Sequence, residues 1–172
     1  METISGLLYK EEQTFPTWFY FLFFSWIPFI VALFFMNPEL IEKSEVVLAI
    51  LGALLFEVLI IGFIGKMTVI VRWNELVVKL GFFGKTMTKI KKVEIKNVRV
   101  VEEKLWKKYG GWGMRGTFGT IAYVYYGDKG VEIELQENYP RGGGLRKLIS
   151  LEKVVISSKN PNRLADAIMS MS

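Results

Sequence analysis

The chain opens with two long apolar runs that contrast with the alternating pattern after them. The first covers residues 15–36 and holds no charge in 22 residues, and the second covers 46–65 and holds one charge, Glu57, in 20. About 20 apolar residues at 1.5 Å each cross a hydrocarbon core of about 30 Å. The apolar residues of the second run favour insertion by about 6 kcal/mol, which outweighs about 3 kcal/mol for one carboxylate. Both runs therefore predict membrane-spanning helices, and residues 1–65 form an N-terminal segment and a helical hairpin.

From residue 66 onward, apolar and polar positions alternate with a period of two, which is typical of β-strands with one buried face. Gly81–Gly84 and Gly127–Gly130 mark turns, and a slip of the pattern near Lys96–Asn97 predicts a bulge or a bend between two strands. Glu132 and Glu134 are expected to face solvent from one strand. The positions expected to face inward are Met67, Val69, Val71, Trp73, Leu76, Val78, Leu80, Val131, Ile133 and Leu135.

The last segment predicts one amphipathic helix. Asn160 is a candidate N-cap and Pro161 suits the first helical position. Leu164, Ile168 and Met171 recur at helical spacing and form one apolar stripe. We therefore expect residues 66–172 to form a mostly β domain, an open barrel of about seven strands capped by a C-terminal helix.

Charge is divided unevenly between the two parts and indicates orientation. Residues 1–65 carry 2 basic and 7 acidic side chains, whereas residues 66–172 carry 20 basic and 10 acidic ones. Basic residues flanking spans favour the cytoplasmic side, so both termini are expected there and the loop 37–45 outside. The first run is too long, and the segment before it too acidic, for a cleaved signal peptide. The sequence thus predicts a two-span protein of the cell membrane.

The residue types that are missing restrict the possible chemistry. The chain has no Cys and no His. It therefore has no disulfide, thiolate nucleophile or Cys-ligated metal, and it lacks the usual general base near neutral pH. Gly111–Gly116 matches the dinucleotide pattern GxGxxG, but a strand rather than a helix is predicted after it, so we reject that interpretation. We expect no catalytic residues, metal site or cofactor.

Several segments together carry a resemblance to a known family. They are YKEEQTF before the first span, TVIVRWNELVVKLG and KIKKVEIKNVRVVE after the second, then GGWGMR, GVEIEL and SSKNPNRLADAI. The combination resembles the bacterial-type pleckstrin-homology (PH-like) domain that follows two transmembrane helices in a family of small proteins of unassigned function. The resemblance implies a seven-stranded PH-like barrel. The segment Gln136–Lys153 departs from it, because a shorter hairpin is expected there.

Glu57 is the most unusual residue of the hairpin. An acidic residue inside a membrane span is a candidate for proton or ion chemistry. The alternative is a carboxyl that hydrogen bonds to the other helix, on a stripe of small residues that favours helix packing or oligomer contact. That stripe comprises Ala49, Ala53, Glu57, Ile61 and Gly65. Packing is the interpretation that we favour.

A basic segment suggests a second kind of site. Nine basic residues lie between Lys85 and Lys108, against three acidic ones. Eukaryotic PH domains bind inositol phosphate headgroups with basic residues near an open barrel end, so the resemblance implies anionic lipid binding. The other interpretation, which we favour, is a solvated face that also enforces topology, and nucleic acid is not an expected partner. The candidate lipid-binding residues are Lys89, Lys91, Lys92, Lys107, Lys108 and Arg115.

Taken together, the sequence favours a non-enzymatic membrane protein whose cytoplasmic domain is an interaction or adaptor module. Its expected partners are membrane lipids and a homo-oligomer or membrane protein complex. A sensor of anionic lipid headgroups is the alternative, and an oligomeric transporter-like subunit using Glu57 is a remote one.

Overall fold

A computed structural model describes residues 6–117, 119–136 and 151–172. Six helices and one 3-10 turn, Lys92–Glu94, occur in these ranges. The helices are α1 Thr17–Phe24, α2 Trp26–Met36, α3 Glu39–Glu42, α4 Ser44–Ile64, α5 Leu105–Lys108 and α6 Pro161–Met169. The strands are β1 Leu7–Thr14, β2 Lys66–Arg72, β3 Glu75–Leu80, β4 Lys85–Lys91, β5 Ile95–Val101, β6 Gly113–Thr117, β7 Thr120–Val124, β8 Gly130–Leu135 and β9 Lys153–Ser157.

The two apolar runs form the hairpin that the sequence predicts. Thr17–Met36 and Ser44–Ile64 are each long and apolar enough to cross a membrane, and neither is buried against the rest of the chain. The first is interrupted only at Ser25, between α1 and α2. Pro28 accounts for this irregularity, because it has no N–H to bond the carbonyl of Phe24 and its ring crowds that carbonyl.

Two sheets form the β domain. The first has the order β1-β2-β3-β4 and the second β5-β8-β9-β7-β6, and they do not close into a barrel. All neighbours are antiparallel except β7 and β9, which are parallel. Met67, Val69 and Ile133 are among the fully buried side chains of the core, as predicted. The helix α6 covers part of β5 and β8, and the predicted stripe of Leu164, Ile168 and Met171 is buried, with Met171 two residues beyond the end of the helix.

The described residues form nine strands where the sequence predicts about seven. Residues 7–14, which the sequence assigns to the segment before the hairpin, form β1 and pair with β2 from Leu7 to Thr14. The GxGxxG segment contains β6, which pairs with β7. Gly113 and Gly116 therefore belong to an edge strand that Gly111 precedes, and β7 rather than a helix follows them.

Local details of the strands follow the sequence with one exception. The register of β5 against β8 shifts between Ile95 and Asn97, inside one strand, which agrees with a bulge rather than with a bend between two strands, and Gly81–Gly84 is a turn. Trp73 was expected on the inner face with Met67, but it lies beyond the end of β2 and is 55% exposed. Residues 137–150, most of the segment expected to depart from a short hairpin, lie outside the described residues.

The prediction that Glu132 faces solvent is wrong. Its side chain is 2% exposed, and it forms ion pairs of 2.7 Å with Arg99 and 3.0 Å with Lys153. β8 lies between β5 and β9 and is buried on both faces, so an outward position in this strand is still inside the domain. Burial by itself raises the pKa of Glu132, but Lys153 and Arg99 outweigh it and the pKa is lowered.

Comparison of Glu132 with Glu134 on the same strand tests how much the buried ion pairs contribute to stability. We expect Glu132→Ala to lower the free energy of unfolding by about 2 kcal/mol, less than for a fully buried pair because both cations can turn to solvent. Glu134→Ala, two residues along, is expected to change it by less than about 0.5 kcal/mol. Thermal unfolding in detergent, followed by the β-sheet circular dichroism signal, measures both. Equal losses would show that the ion pairs contribute nothing.

A buried polar network joins the first strand to the last. The Glu11 carboxylate accepts hydrogen bonds from the hydroxyls of Tyr9 and Ser158, the amide of Gln13 and the backbone N–H of Lys159, at 2.6–3.0 Å. Gln13 and Ser157 are linked by two further bonds. Burial, followed by the bond to Glu11, raises the pKa of Tyr9 to about 12, so its hydroxyl remains a donor at neutral pH.

Candidate interaction surfaces

The two ends of the β domain lie at different distances from the helical hairpin, and the position of a surface residue between them determines its distance from the hairpin. β1 leads into α1, α4 leads into β2, and the register pairs Thr14 with Lys66 at this junction. We call this the hairpin end. β2 then runs six residues to Arg72, or about 20 Å at 3.3 Å per residue, before the chain turns back at Trp73 and Asn74. We call that side the far end.

The hairpin and the domain are bonded directly to each other. The hydroxyl of Tyr125 donates to the carbonyl of Ile64 at 2.6 Å, and that of Tyr20 donates to the carbonyl of Gly65 at 3.1 Å. The ring of Phe15 stacks on that of Tyr125, with centroids 4.7 Å apart. Burial raises the pKa of Tyr125 far above its usual range, so it remains a donor. The last turn of α4 is therefore held against the β domain rather than separated from it by a flexible linker.

Three tryptophans lie together at the hairpin end. The rings of Trp106 and Trp112 stack with centroids 5.1 Å apart, and the edge of Trp18, in the first turn of α1, meets Trp112 at 5.1 Å. We call these three residues the tryptophan cluster. The indole N–H of Trp112 is buried and has no hydrogen-bond partner among the residues that the structure describes.

Basic side chains adjoin the tryptophan cluster. The ammonium of Lys107 lies 5.3 Å from the centre of the Trp106 ring, a cation–π distance. The guanidinium of Arg115 lies over Gly111, the residue before Trp112. Lys108 forms a 2.8 Å ion pair with Glu103, which raises the pKa of Lys108. Lys107 and Arg115 are both exposed, and neither forms an ion pair with another of the described residues.

The other three predicted basic residues lie towards the far end. Lys89 pairs with Glu75 at 2.6 Å. Lys92 donates to the carbonyl of Met169 at 2.8 Å, where it neutralises the negative end of α6. Lys91 lies opposite Glu75 in the register and is exposed. Two of these three lysines therefore already have structural partners.

Exposed apolar side chains lie beside these lysines. Trp73, Val93 and Met169 are 55%, 64% and 53% exposed. Lys92 brings these three residues together. Its backbone N–H donates to the carbonyl of Asn74, the residue after Trp73, and its side chain donates to the carbonyl of Met169. We call Trp73, Lys91, Val93 and Met169 the far-end patch.

The six predicted lipid-binding residues therefore fall into two groups that cannot act as one site. Lys107, Lys108 and Arg115 are near the hairpin end, whereas Lys89, Lys91 and Lys92 are about 13–20 Å along the strand from it. The sequence did carry a signal for this division. β2 leaves the hairpin end, β3 returns to it and β4 leaves again, so strand direction alone places Lys89 and Lys91 towards the far end.

Glu57 points towards the other long helix of the hairpin. The indole N–H of Trp26 donates to Glu57 Oε1 at 2.7 Å, while Oε2 is buried without a hydrogen-bond partner among the described residues. Ala49 and Ala53 are exposed on the single chain. The hairpin thus uses Glu57 for contact between its helices, but it leaves the alanines of the predicted stripe uncovered.

Two further observations bear on function. Within residues 6–117, 119–136 and 151–172, no three acidic side chains are grouped so that they could hold a metal ion. Comparison with family models, with curated proteins and with solved structures found no match.

Proposed function

We propose that this chain is a membrane-anchored, non-enzymatic interaction module that presents the far-end patch to an acidic protein partner. In this proposal the two long helices span the cell membrane and both termini are cytoplasmic, because the domain after the second span carries 20 basic against 10 acidic residues. The patch is the observation that carries the proposal. It combines the exposed Trp73, a residue type enriched among the side chains that carry most of the binding energy of protein interfaces, with the exposed ammonium of Lys91, which favours an acidic partner.

Distance from the membrane favours a protein over a lipid at this patch. The far end lies about 20 Å along the strands from the point where the helices leave the domain. Electrostatic attraction to a membrane surface decays over about 8 Å at physiological ionic strength. Lys91 is therefore too far from the headgroups to bind them and is placed for a partner in the aqueous phase.

The PH-like fold is part of the same proposal. Its support is an arrangement of two packed sheets with a C-terminal helix against β5 and β8. Two features differ from the expected seven-stranded barrel, namely the additional strand β1 and the parallel pairing of β7 with β9. A fold of this kind serves many functions, so the proposal depends on the surface rather than on the fold.

The tryptophan cluster favours a second candidate function, binding of anionic lipid headgroups at the hairpin end. Trp18 lies in the first turn of the first span, at the level where tryptophans collect in membrane proteins. Lys107 and Arg115 are next to it, and each cation near an anionic surface contributes about 1 kcal/mol. The buried, unpaired N–H of Trp112 offers one further donor.

Native mass spectrometry of the protein, extracted gently from its own membranes, tests both candidates with two matched double variants. The far-end variant is Trp73→Ala with Lys91→Glu, and the hairpin-end variant is Lys107→Glu with Arg115→Glu. Neither variant touches an ion pair or a core position that the structure describes. We expect a protein partner at fixed stoichiometry that the far-end variant loses and the hairpin-end variant retains.

The remaining outcomes separate the hypotheses. A partner that survives in the far-end variant, or no protein partner on the unaltered chain, would refute the adaptor proposal. A bound anionic lipid lost only from the hairpin-end variant would establish the lipid candidate. An oligomer of the chain alone, unaffected by either variant, would direct attention to the uncovered face of Ala49 and Ala53.

A further inference from the structure

The turn between β3 and β4 exposes two phenylalanines at a place where turns are usually polar. It consists of Gly81, Phe82, Phe83 and Gly84, and we call it the phenylalanine turn. Phe82 is 60% exposed and Phe83 72%. Gly, Asn, Asp, Ser and Pro are the residues that usually occupy such turns. Two adjacent, largely exposed aromatic rings therefore indicate contact with something outside the domain.

The turn is fixed to the end of the second span. The N–H of Phe82 donates to the carbonyl of Gly62 at 2.8 Å, and that of Gly81 donates to Lys66 at 2.7 Å. The ring of Phe83 lies over Gly62, with its centroid 5.5 Å from that of Phe63. The two exposed rings are thus held level with the last turn of α4.

The apolar surface of the turn is continuous with that of the span. Phe63 and Ile64, at the end of α4, are themselves 51% and 41% exposed. Phe83 extends this surface sideways from the helix, and Lys85 follows directly after the turn with its side chain exposed. Aromatic rings bordered by lysine are typical of the boundary between the hydrocarbon core and the headgroups.

We propose that the phenylalanine turn inserts into the lipid bilayer beside α4 and is a third membrane contact of the chain. Phe82 and Phe83 enter the region between acyl chains and headgroups, and Lys85 lies at the level of the phosphates. The proposal rests on the membrane-spanning role of the hairpin. Its consequence is that the β domain is held in one orientation, which directs the far-end patch away from the bilayer.

The absence of cysteine makes a clean test possible, because any introduced cysteine is a unique labelling site. Single variants Phe82→Cys, Phe83→Cys, Trp73→Cys and Leu55→Cys of the full chain are labelled with a nitroxide. They are then reconstituted into vesicles of phosphatidylcholine and phosphatidylglycerol. Collision with oxygen, which concentrates in lipid, is compared with collision with a water-soluble nickel chelate. All four positions are exposed on the chain, so the fold is expected to tolerate each label.

We expect labels at 82 and 83 to lose nickel accessibility and gain oxygen accessibility relative to the label at 73. The label at 55, in the middle of α4, is the reference for lipid. If positions 82 and 83 resemble position 73 while 55 reports lipid, the turn does not insert and the inference is wrong. If position 55 is also accessible to nickel, the proposed membrane anchoring itself fails. Protection of 82 and 83 from both reagents would mean burial against protein and would equally overturn the inference.

Discussion

Replacing Glu11 by alanine is expected to lower the free energy of unfolding of the β domain by about 3 kcal/mol. The carboxylate is 8% exposed and accepts four hydrogen bonds from groups on β1 and around the end of β9. Its removal leaves the backbone N–H of Lys159 and the hydroxyl of Ser158 without this acceptor, while the two bonds between Gln13 and Ser157 remain. Chemical unfolding in detergent, followed by the β-sheet circular dichroism signal, measures the loss.

Glu12 supplies a matched control on the same strand. It forms ion pairs of 2.8 Å with Lys10 and 2.6 Å with Lys66, and hydrogen bonds from these two lysines lower its pKa to about 2. Its side chain is nevertheless 43% exposed, and ion pairs in solvent contribute only about 0–1 kcal/mol. Glu12→Ala is therefore expected to cost less than about 1 kcal/mol. If Glu12→Ala lowers the free energy of unfolding as much as Glu11→Ala does, the loss comes from removing a charge and not from breaking the buried hydrogen bonds. The role assigned to the network would then be wrong.

The same strand shows where sequence pattern fails. Two continuous apolar runs predicted the hairpin, and hydrophobic periodicity predicted most of the core strands and α6, because in those strands and in α6 the buried side chains are the apolar ones. The inner positions of β1 include Glu11 and Gln13, which are buried by hydrogen bonding instead. A strand with a polar inner face has no hydrophobic alternation, so residues 7–14 gave no strand signal.

Glu132 was misplaced for a related reason. Alternation in β8 is real, since Val131, Ile133 and Leu135 are buried. However, alternation indicates which face is apolar and does not indicate whether the opposite face meets solvent. The side chains that cover Glu132 come from β5 and β9, about 30 residues before it and 20 after it. Such long-range neighbours cannot be inferred from a local pattern.

The candidate basic site illustrates a third limit. Net charge correctly indicated a basic domain, but six residues close in sequence were distributed to opposite ends of it. Their roles also differ, because Lys92 caps α6 and Lys107 lies over an indole ring. Charge density in a sequence therefore predicts a property of the whole domain. The location of a binding surface additionally requires strand direction and the partner of each side chain.

Gly81→Ala is expected to have the other large effect, a loss of roughly 3 kcal/mol together with release of the phenylalanine turn from α4. Gly81 has φ +76°, a conformation that costs a residue with a side chain about 1 kcal/mol. A Cβ at this position would also lie 2.5 Å from the carbonyl oxygen of Phe63 and 2.6 Å from that of Gly62. These are backbone atoms of the last helical turn, so neither can move without distorting α4.

Gly84, at the other end of the turn, separates the two contributions. Its φ is +66°, but the nearest atom to a Cβ there is the Cδ of Lys79 at 3.9 Å. Gly84→Ala should therefore cost only about 1 kcal/mol, from backbone strain alone. A nitroxide on Phe83→Cys should gain nickel accessibility in the Gly81→Ala background and not in the Gly84→Ala background. Of these two glycines, Gly81 is the one that lacks room for a side chain. Equal losses of stability, or an unchanged label in both backgrounds, would therefore mean that close contact with α4 does not hold the turn at the membrane.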